Sequence, residues 1–233
     1  MPSMNVNVGG VWKVPRPWIN VGGTWHGAVA AWVNVGGVWK QFYVNFTGQT
    51  NTYSVAGSGT ETAPTGATNV VIEVWAGGGG GSHGVGTGCA VANGCGGGSG
   101  GYSRTTHAVV GGQTMAYTVG AAGSGGIVGG FAAAGGASSV SSGTLTITTL
   151  SDGGGALGTP SLSAAGGAGG TSSGGTVVNT VGNAGGNSAA GGLGGAAIVG
   201  LLAAAFGKGG NSGLGTASAG HVGIAGTARF TYT

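Results

Sequence analysis

The stretch Asn69-Val-Val-Ile-Glu-Val-Trp-Ala-Gly-Gly-Gly-Gly-Gly81 decides the fold, because a strand pattern runs directly into five consecutive glycines. Valine, isoleucine and tryptophan favour strands, and 51 of the 157 residues from Gly77 to Thr233 are glycine. Glycine loses more backbone entropy on ordering than any other residue, so an ordered segment of this kind needs a dense network of main-chain hydrogen bonds. A bundle of extended helices with three residues per turn would supply that network, although in-phase glycine triplets are no more frequent than the composition alone gives.

The composition argues against an enzyme and against disorder. The chain contains only three acidic residues and four histidines, so we expect no catalytic residues, no metal site and no cofactor. Disorder goes with low hydrophobicity and high net charge, whereas this chain has an apolar fraction of 40% and a formal net charge of +3. Runs of glycine break any Gly-X-Y triplet, which excludes collagen.

Charge and hydropathy predict where the protein is made. No basic start followed by an apolar segment is visible, so we expect no secretory signal. The longest apolar run, residues 196–206, has 11 residues, whereas a membrane-spanning helix needs roughly 20. The net positive charge lies in the N-terminal segment, on Lys13, Arg16 and Lys40, and is too sparse for nucleic-acid binding. We expect a soluble protein made in the cytosol, with no membrane insertion and no nucleic-acid partner.

A short motif occurs three times near the N-terminus. Its copies begin 13 and 14 residues apart and read Asn7-Val-Gly-Gly-Val-Trp-Lys13, Asn20-Val-Gly-Gly-Thr-Trp-His26 and Asn34-Val-Gly-Gly-Val-Trp-Lys40. A Gly-Gly pair between two strand-like runs is typical of a two-residue hairpin turn that needs positive φ at both positions. The sequence therefore predicts three tandem β-hairpins.

Tryptophan is concentrated in the same segment, at Trp12, Trp18, Trp25, Trp32 and Trp39. One hairpin buries too little surface to be stable alone. The tryptophans therefore form either the shared core of a simple meander or a surface that docks onto sister chains or a larger assembly. We divide the chain into a hairpin-repeat module for docking or oligomerisation, residues 1–46, and a glycine-rich β domain, residues 47–233. The tandem units resemble those of bacteriophage tail proteins.

Further strands are predicted from their aromatic, valine and threonine content, at residues 41–47, 51–56, 69–76, 103–110, 115–119, 145–150 and 228–233. Glu73 lies inside the third of these strands, with no obvious second titratable group beside it in the sequence. We predict that its carboxylate faces solvent and has no catalytic role.

Several sequence blocks follow one another in a recognisable order: Ala63-Pro-Thr-Gly-Ala-Thr68, the strand that ends at Trp75 and Ala76, the run Gly77 to Gly81, Gly100-Gly-Tyr-Ser-Arg104, Gly111-Gly-Gln-Thr-Met-Ala-Tyr-Thr-Val-Gly120 and Gly226-Thr-Ala-Arg-Phe-Thr-Tyr232. This order resembles the glycine-rich domain at the ends of bacteriophage tail fibres, over about residues 47–233. Ala76 departs from the pattern, since that family often has glycine there. The resemblance implies an all-β fold in which the tandem hairpins precede a glycine-rich β-sandwich with polyglycine-type helices. It also implies that the final strand pairs beside the first and that distal loops touch the host.

Five segments between glycine blocks carry larger side chains: 89–93, 127–131, 156–162, 176–181 and 196–206. Binding residues concentrate on loops that a rigid scaffold holds, so these segments are candidates for receptor contact, although caps that face the core would have the same composition. The candidate receptor-facing residues are Ile127, Val128, Phe131, Leu157, Leu162, Ile198, Leu201, Leu202 and Phe206.

Motifs for other functions are weak. Gly207-Lys-Gly209 lacks the serine or threonine that a phosphate-binding loop needs after its lysine. Cys89 and Cys95 stand close enough for a small disulfide loop, although we favour two unpaired thiols. Each histidine stands alone, so we expect structural or solvent-facing roles for them.

These observations and the resemblance predict a structural virion protein of a bacteriophage tail, in the fibre or at the tip, that contributes to host attachment. The expected partners are a host cell-surface protein or glycan, other phage tail proteins and further copies of the chain in a homotrimer. One alternative is a non-adhesive virion component, in the baseplate or as a capsid decoration. Another is an ice-binding or surface-coating protein, because glycine-helix bundles of some antifreeze proteins look similar.

Overall fold

The computed structural model describes residues 6–8, 11–13, 17–28, 30–87, 90–92, 94–128, 131–159, 165–187, 192–200, 205–213 and 218–233. Every regular element in these residues is a strand, so the described chain is all-β. None of the described residues forms a helix that is long and apolar enough to cross a membrane.

The N-terminal strands are β1 (Val6–Val8), β2 (Val11–Lys13), β3 (Trp18–Val21), β4 (Thr24–Gly27), β5 (Ala30–Val35) and β6 (Val38–Val44). The glycine-rich body contains β7 (Gln49–Tyr53), β8 (Gly57–Thr62), β9 (Asn69–Trp75), β10 (Val85–Thr87), β11 (Ala90–Ala92), β12 (Tyr102–Ala108), β13 (Thr114–Val119), β14 (Ser138–Ser142), β15 (Leu150–Asp152), β16 (Ser172–Ser173), β17 (Val178–Thr180), β18 (Ile198–Val199), β19 (Ala205–Phe206) and β20 (Thr227–Tyr232).

Three antiparallel hairpins, β1-β2, β3-β4 and β5-β6, follow one another at the N-terminus. The second and third Gly-Gly turns adopt positive φ as predicted, with values of 60° and 85° at Gly22 and Gly23 and 62° and 83° at Gly36 and Gly37, whereas Gly9 and Gly10 lie outside the described residues. The asparagine that opens each of these two repeats accepts a hydrogen bond of 2.9 Å from the N–H of the second turn glycine. The repeated asparagine thus holds the turn that its own motif requires.

Two five-stranded antiparallel sheets form the centre of the body, in the orders β17-β12-β9-β20-β7 and β16-β15-β14-β13-β8. Strands of one sheet contact strands of the other across a shared apolar core, an arrangement of the β-sandwich type. The final strand β20 lies between β9 and β7, the first strand of the body, as the resemblance implied. The core is made of Ala63, Ala67, Val70, Ile72, Val74, Val109, Met115, Val119, Val140, Leu145, Ile147, Leu150, Ala228, Phe230 and Tyr232.

The predicted strand at 145–150 is wrong, because Leu145 and Ile147 reach the core from a loop between β14 and β15. The hydroxyl of Ser142 closes that loop by donating to the carbonyl oxygen of Ile147 and accepting from its N–H, each at 2.9 Å. Strand β8 escaped prediction because its sequence, Gly-Ser-Gly-Thr-Glu-Thr, lacks the apolar alternation of a half-buried strand.

Beyond the sheets the chain passes through glycine-rich segments that contain no regular strand: 77–84, 94–101, 120–128, 131–137, 153–159, 165–171, 181–187, 192–197, 207–213 and 218–226. Main-chain hydrogen bonds join these segments to one another. Along segment 77–82 the N–H groups donate to three neighbouring segments in turn, and the order repeats after three residues. Gly77 and Gly80 donate to segment 131–137, Gly78 and Gly81 to segment 218–226, and Gly79 and Ser82 to segment 94–101.

The carbonyl groups of segment 77–82 repeat the same rotation with three other neighbours. Those of Gly77 and Gly80 accept from segment 153–159, and those of Gly78 and Gly81 accept from segment 120–128. The remaining two accept from segment 207–213. Segment 77–82 is therefore surrounded by six others, and its hydrogen-bonding direction repeats every three residues.

Candidate functional site

The body has two distinct poles, because successive glycine segments run in opposite directions. Strand β9 leads directly into segment 77–84, and β20 begins opposite the end of β9, with Thr227 paired to Trp75. The segments therefore start at the sheets and turn back at the far end. We call that far end the loop pole, defined by the described residues 82–87, 90–92, 126–128, 131–132, 158–159, 186–187, 192–193, 212–213 and 218–221.

Direct contacts tie the loop pole together. The N–H of Gly84 donates to the carbonyl oxygen of Ser218 at 3.1 Å, and the hydroxyl of Ser82 donates to the carbonyl oxygen of Thr159 at 3.2 Å. The N–H of Gly126 donates to Gly81 at 2.9 Å. These bonds join turns that are far apart in the sequence.

The opposite pole is where the chain enters the body. Gln49, the first residue of β7, pairs with Tyr232. Tyr53 pairs with Ala228 at the other end of the same sheet, the end from which the glycine segments extend. The N–H of Thr233 donates to Asn69, at the start of β9. The hairpin module is therefore attached at the pole opposite the loops.

Some of the predicted receptor-facing residues lie at the loop pole. Ile127, Val128 and Phe131 flank one turn and are exposed, with 80% of Phe131 accessible to solvent. Leu157 is half-buried near the end of its segment. Leu162 lies outside the described residues.

The two described candidates of segment 196–206, Ile198 and Phe206, do not join them. Strands β18 and β19 form a hairpin at the sheet end of the bundle, where the indole N–H of Trp75 donates to the carbonyl oxygen of Ile198 at 2.9 Å. The ring of Phe206 packs edge-on against Trp75, with 5.2 Å between ring centres. This hairpin thus contacts the sheet end of the body. Leu201 and Leu202 lie outside the described residues.

Residues that the sequence analysis missed also lie at the loop pole. Leu193 is exposed there and lines a cavity of about 330 Å³ together with Asn211, Ser212, Gly213, Ser218, Ala219 and His221. The amide oxygen of Asn211 accepts from the N–H of Gly194 at 2.8 Å, which holds one wall in place. These residues belong to three different segments, and they could have been placed together only if the direction in which each segment runs were known. Composition does not reveal that direction.

The hairpins present two different faces, because paired residues of an antiparallel ladder point to the same side. Asn20 pairs with Trp25 and Asn34 pairs with Trp39, which places tryptophan and asparagine on one face, the tryptophan face. Ile19 pairs with His26 and Val33 pairs with Lys40 on the other, the aliphatic face. Trp18, Trp25, Trp32 and Trp39 each expose between 54% and 67% of their surface. The Trp12 side chain lies outside the described part of the chain, although the Trp12 backbone pairs with Asn7 in the equivalent register.

All three acidic side chains of the sequence lie within the described residues, and all three are buried. The prediction that Glu73 faces solvent is wrong. The guanidinium of Arg229, 156 residues away in sequence, donates to its carboxylate at 2.5 and 2.9 Å, and the hydroxyl of Tyr102 donates to it at 2.7 Å. Burial, followed by this hydrogen bond, raises the pKa of Tyr102 above its usual value.

The other two carboxylates accept hydrogen bonds from neutral side chains. Glu61 accepts from the side-chain amide of Asn51 at 2.7 Å and from the hydroxyls of Tyr53 and Tyr232 at 2.5 and 2.9 Å. Asp152 accepts from the hydroxyl of Ser103 at 2.6 Å, and burial raises its carboxyl pKa to about 6. Because all three acidic side chains are buried, none of them contributes a negative charge to the protein surface.

Cysteine and histidine form no further site in the part of the chain that the structure describes. Cys95 is buried within the bundle, and Cys89 lies outside the described residues. Among the described residues no three histidine, cysteine, aspartate or glutamate side chains come together to hold a metal ion.

The comparisons with known proteins agree with the glycine-rich body. A family model described as "Glycine-rich domain" matches residues 47–233. A comparison with curated proteins returns no match for this chain. Because the match covers most of the chain, the protein belongs to the glycine-rich domain family.

Proposed function

We propose that this protein is a structural component of a bacteriophage tail, in the fibre or at the tip, and that it contributes to attachment to the host surface. The observation that carries the proposal is the polarity of the body. The chain enters at one pole, beside Gln49 and Tyr232, and turns of the glycine segments gather at the other. An attachment protein needs this separation between the end that is anchored and the end that is presented.

The glycine segments, in this proposal, are polyglycine-type helices that make the body stiff. Hydrogen bonds that rotate between neighbours every three residues support this, since an extended helix of that type has three residues per turn. Segment 77–82 would then span about 19 Å at roughly 3.1 Å per residue. Both main-chain groups of each residue are bonded, which offsets the entropy cost of ordering glycine.

Attachment would rest on many weak contacts rather than on chemistry. Exposed apolar side chains such as Phe131 and Leu193 at the loop pole suit a host cell-surface protein or glycan. The three carboxylates are all buried, so salt bridges from acidic side chains to the receptor are not part of the mechanism. Several copies, in a homotrimer joined to other tail proteins in the virion, would multiply a weak contact into stable adsorption.

Adsorption competition tests this function. The purified chain is added to susceptible cells before phage particles that carry it, and unadsorbed particles are counted. We expect the chain to lower adsorption in a dose-dependent way, because it occupies the same receptors. A chain that neither binds susceptible cells nor competes with the particles would contradict the proposal. A thermal-hysteresis measurement on the same preparation separates attachment from ice binding.

A further inference from the structure

The tryptophan faces of the N-terminal hairpins expose a large apolar area. At about 250 Å² for a whole tryptophan side chain, the exposed fractions of Trp18, Trp25, Trp32 and Trp39 amount to roughly 600 Å². The largest apolar patch of an ordinary monomer covers about 300 to 600 Å². Each partner of a standard protein interface buries about 800 Å², so the tryptophans of the two hairpins, taken together, have enough exposed area for most of one interface.

The hairpins also lack internal support. In the described chain β3-β4 and β5-β6 are two-stranded sheets with no third strand, and an isolated two-stranded sheet is marginally stable at best. A surface that covers their apolar side chains is therefore needed to hold them.

Charge distinguishes the two faces. On the aliphatic face of the two repeats whose side chains are described, a cationic or titratable residue occurs at the same register position, His26 in one and Lys40 in the other. The tryptophan face of the described repeats carries asparagine, tryptophan and Gln41, none of them charged. Contact between two copies through the aliphatic face would oppose like charges, whereas contact through the tryptophan face would not.

We propose that the tryptophan face is the surface through which copies of this chain associate, and that the aliphatic face stays outside that interface. The inference deepens the oligomerisation that the proposed function requires and rests on it. The occupant of the face is a second copy because the face is uncharged and repeats the same asparagine and tryptophan pair, so that like can pack on like about a symmetry axis. The area available per chain is close to what such an interface buries.

Two double variants of the full chain test which face is buried. Trp25→Glu with Trp39→Glu places two carboxylates on the tryptophan face. The matched control, Thr24→Glu with Val38→Glu, places them one residue away on the same strands, next to the same turns but on the aliphatic face. Mass is measured by light scattering after size exclusion across a hundredfold range of concentration.

We expect the wild type and the control to be oligomers of equal mass and the tryptophan variant to be a monomer. Tryptophan emission should shift to shorter wavelength as the wild type assembles and should not shift in the tryptophan variant. The thermal transition of the glycine-rich body should be the same in all three proteins, which shows that the body remains folded.

Three results would overturn the inference. A wild type that is monomeric at every concentration means that another protein covers the face. A tryptophan variant that keeps the wild-type mass, or a control that dissociates, means that the copies associate elsewhere. Cell adsorption is measured separately with the same wild-type sample: oligomers that fail to adsorb contradict the attachment function but leave the interface in place.

Discussion

Replacement of Gly79 by alanine probes how closely the glycine segments pack. Gly79 lies in segment 77–82, which six other segments surround. A methyl group on its Cα would overlap the carbonyl oxygen of Ala156 and lie 2.7 Å from that of Gly155. Both obstacles are main-chain atoms, so no side-chain rotation can relieve the overlap, and the neighbouring segment must move away.

The expected cost follows from what that movement disturbs. Overpacking in a closely packed interior costs typically about 1 to 3 kcal/mol. The N–H groups of Gly155 and Gly158 in that segment donate to the carbonyl oxygens of Gly77 and Gly80, each at 2.9 Å; weakening these two bonds adds about 1 kcal/mol each. Alanine restricts the unfolded chain and returns about 0.4 to 1 kcal/mol. We expect a net loss of about 2 to 4 kcal/mol in the free energy of unfolding.

Gly48→Ala is the matched control, because it changes the unfolded chain in the same way while its methyl group would lie 3.3 Å from the carbonyl oxygen of Tyr232. Equilibrium unfolding in urea should place the control within about 1 kcal/mol of the wild type. At about 2 to 4 °C per kcal/mol, Gly79→Ala should melt roughly 4 to 16 °C below it. Equal stability of the two variants would refute the close packing and, with it, the stiff bundle.

Three further predictions concern buried charge and the loop pole. Because the folded carboxyl pKa of Asp152 is raised from 3.8 to about 6, the stability that its protonated form contributes should be complete below pH 4 and should be lost, by up to about 3 kcal/mol, as the pH rises through 6; the difference between the wild type and Asp152→Asn in urea titrations over this range should show that loss. Arg229→Met should lower the free energy of unfolding by about 3 to 5 kcal/mol, because it leaves the Glu73 carboxylate buried without its cation. Adding Glu73→Gln should restore part of that stability, and a double variant that recovers none of it would argue against the ion pair. Phe131→Ser should reduce binding to host cells several-fold with an unchanged melting temperature. The control is Val55→Ser, at a turn beside the sheets where 84% of the side chain is exposed, and it should bind as the wild type does. Equal binding by both variants would remove Phe131 from the contact surface.

The hairpins could be predicted because their determinants are local. Two adjacent glycines with positive φ, flanked by short strand-like runs, specify a two-residue turn within a few residues of sequence, and Gly22 with Gly23 behaves in this way. The strand β9 and the closing strand β20 were also evident from their composition. Their neighbours in the sheet were expected from the resemblance alone, since pairing joins distant residues.

The environment of Glu73 could not be predicted for the same reason. Its cation, Arg229, is 156 residues away, and only the pairing of β20 beside β9 brings the two side chains together. A carboxylate within an otherwise apolar strand was the one available signal that a buried partner was required.

Glycine spacing revealed neither the bundle nor its loop pole. A segment enclosed on every side, such as 77–82, needs a small residue at nearly every position, so no three-residue period appears in it. A segment at the rim needs glycine only where it faces a neighbour, and 131–137 carries exposed Ala133 and Ala134 at its other positions. The position of 196–206 depends on how many times the chain has reversed before it, which composition does not encode.

Electron microscopy of intact particles tests the attachment account most directly. Two labels are placed on the protein in particles that carry it, one in the N-terminal hairpin module and one at Phe131. The attachment account predicts that both labels lie on the tail, with the hairpin label nearer the rest of the virion and the Phe131 label at the outer end. Labels on the capsid or within the baseplate, or a hairpin label farther out than the Phe131 label, would contradict it.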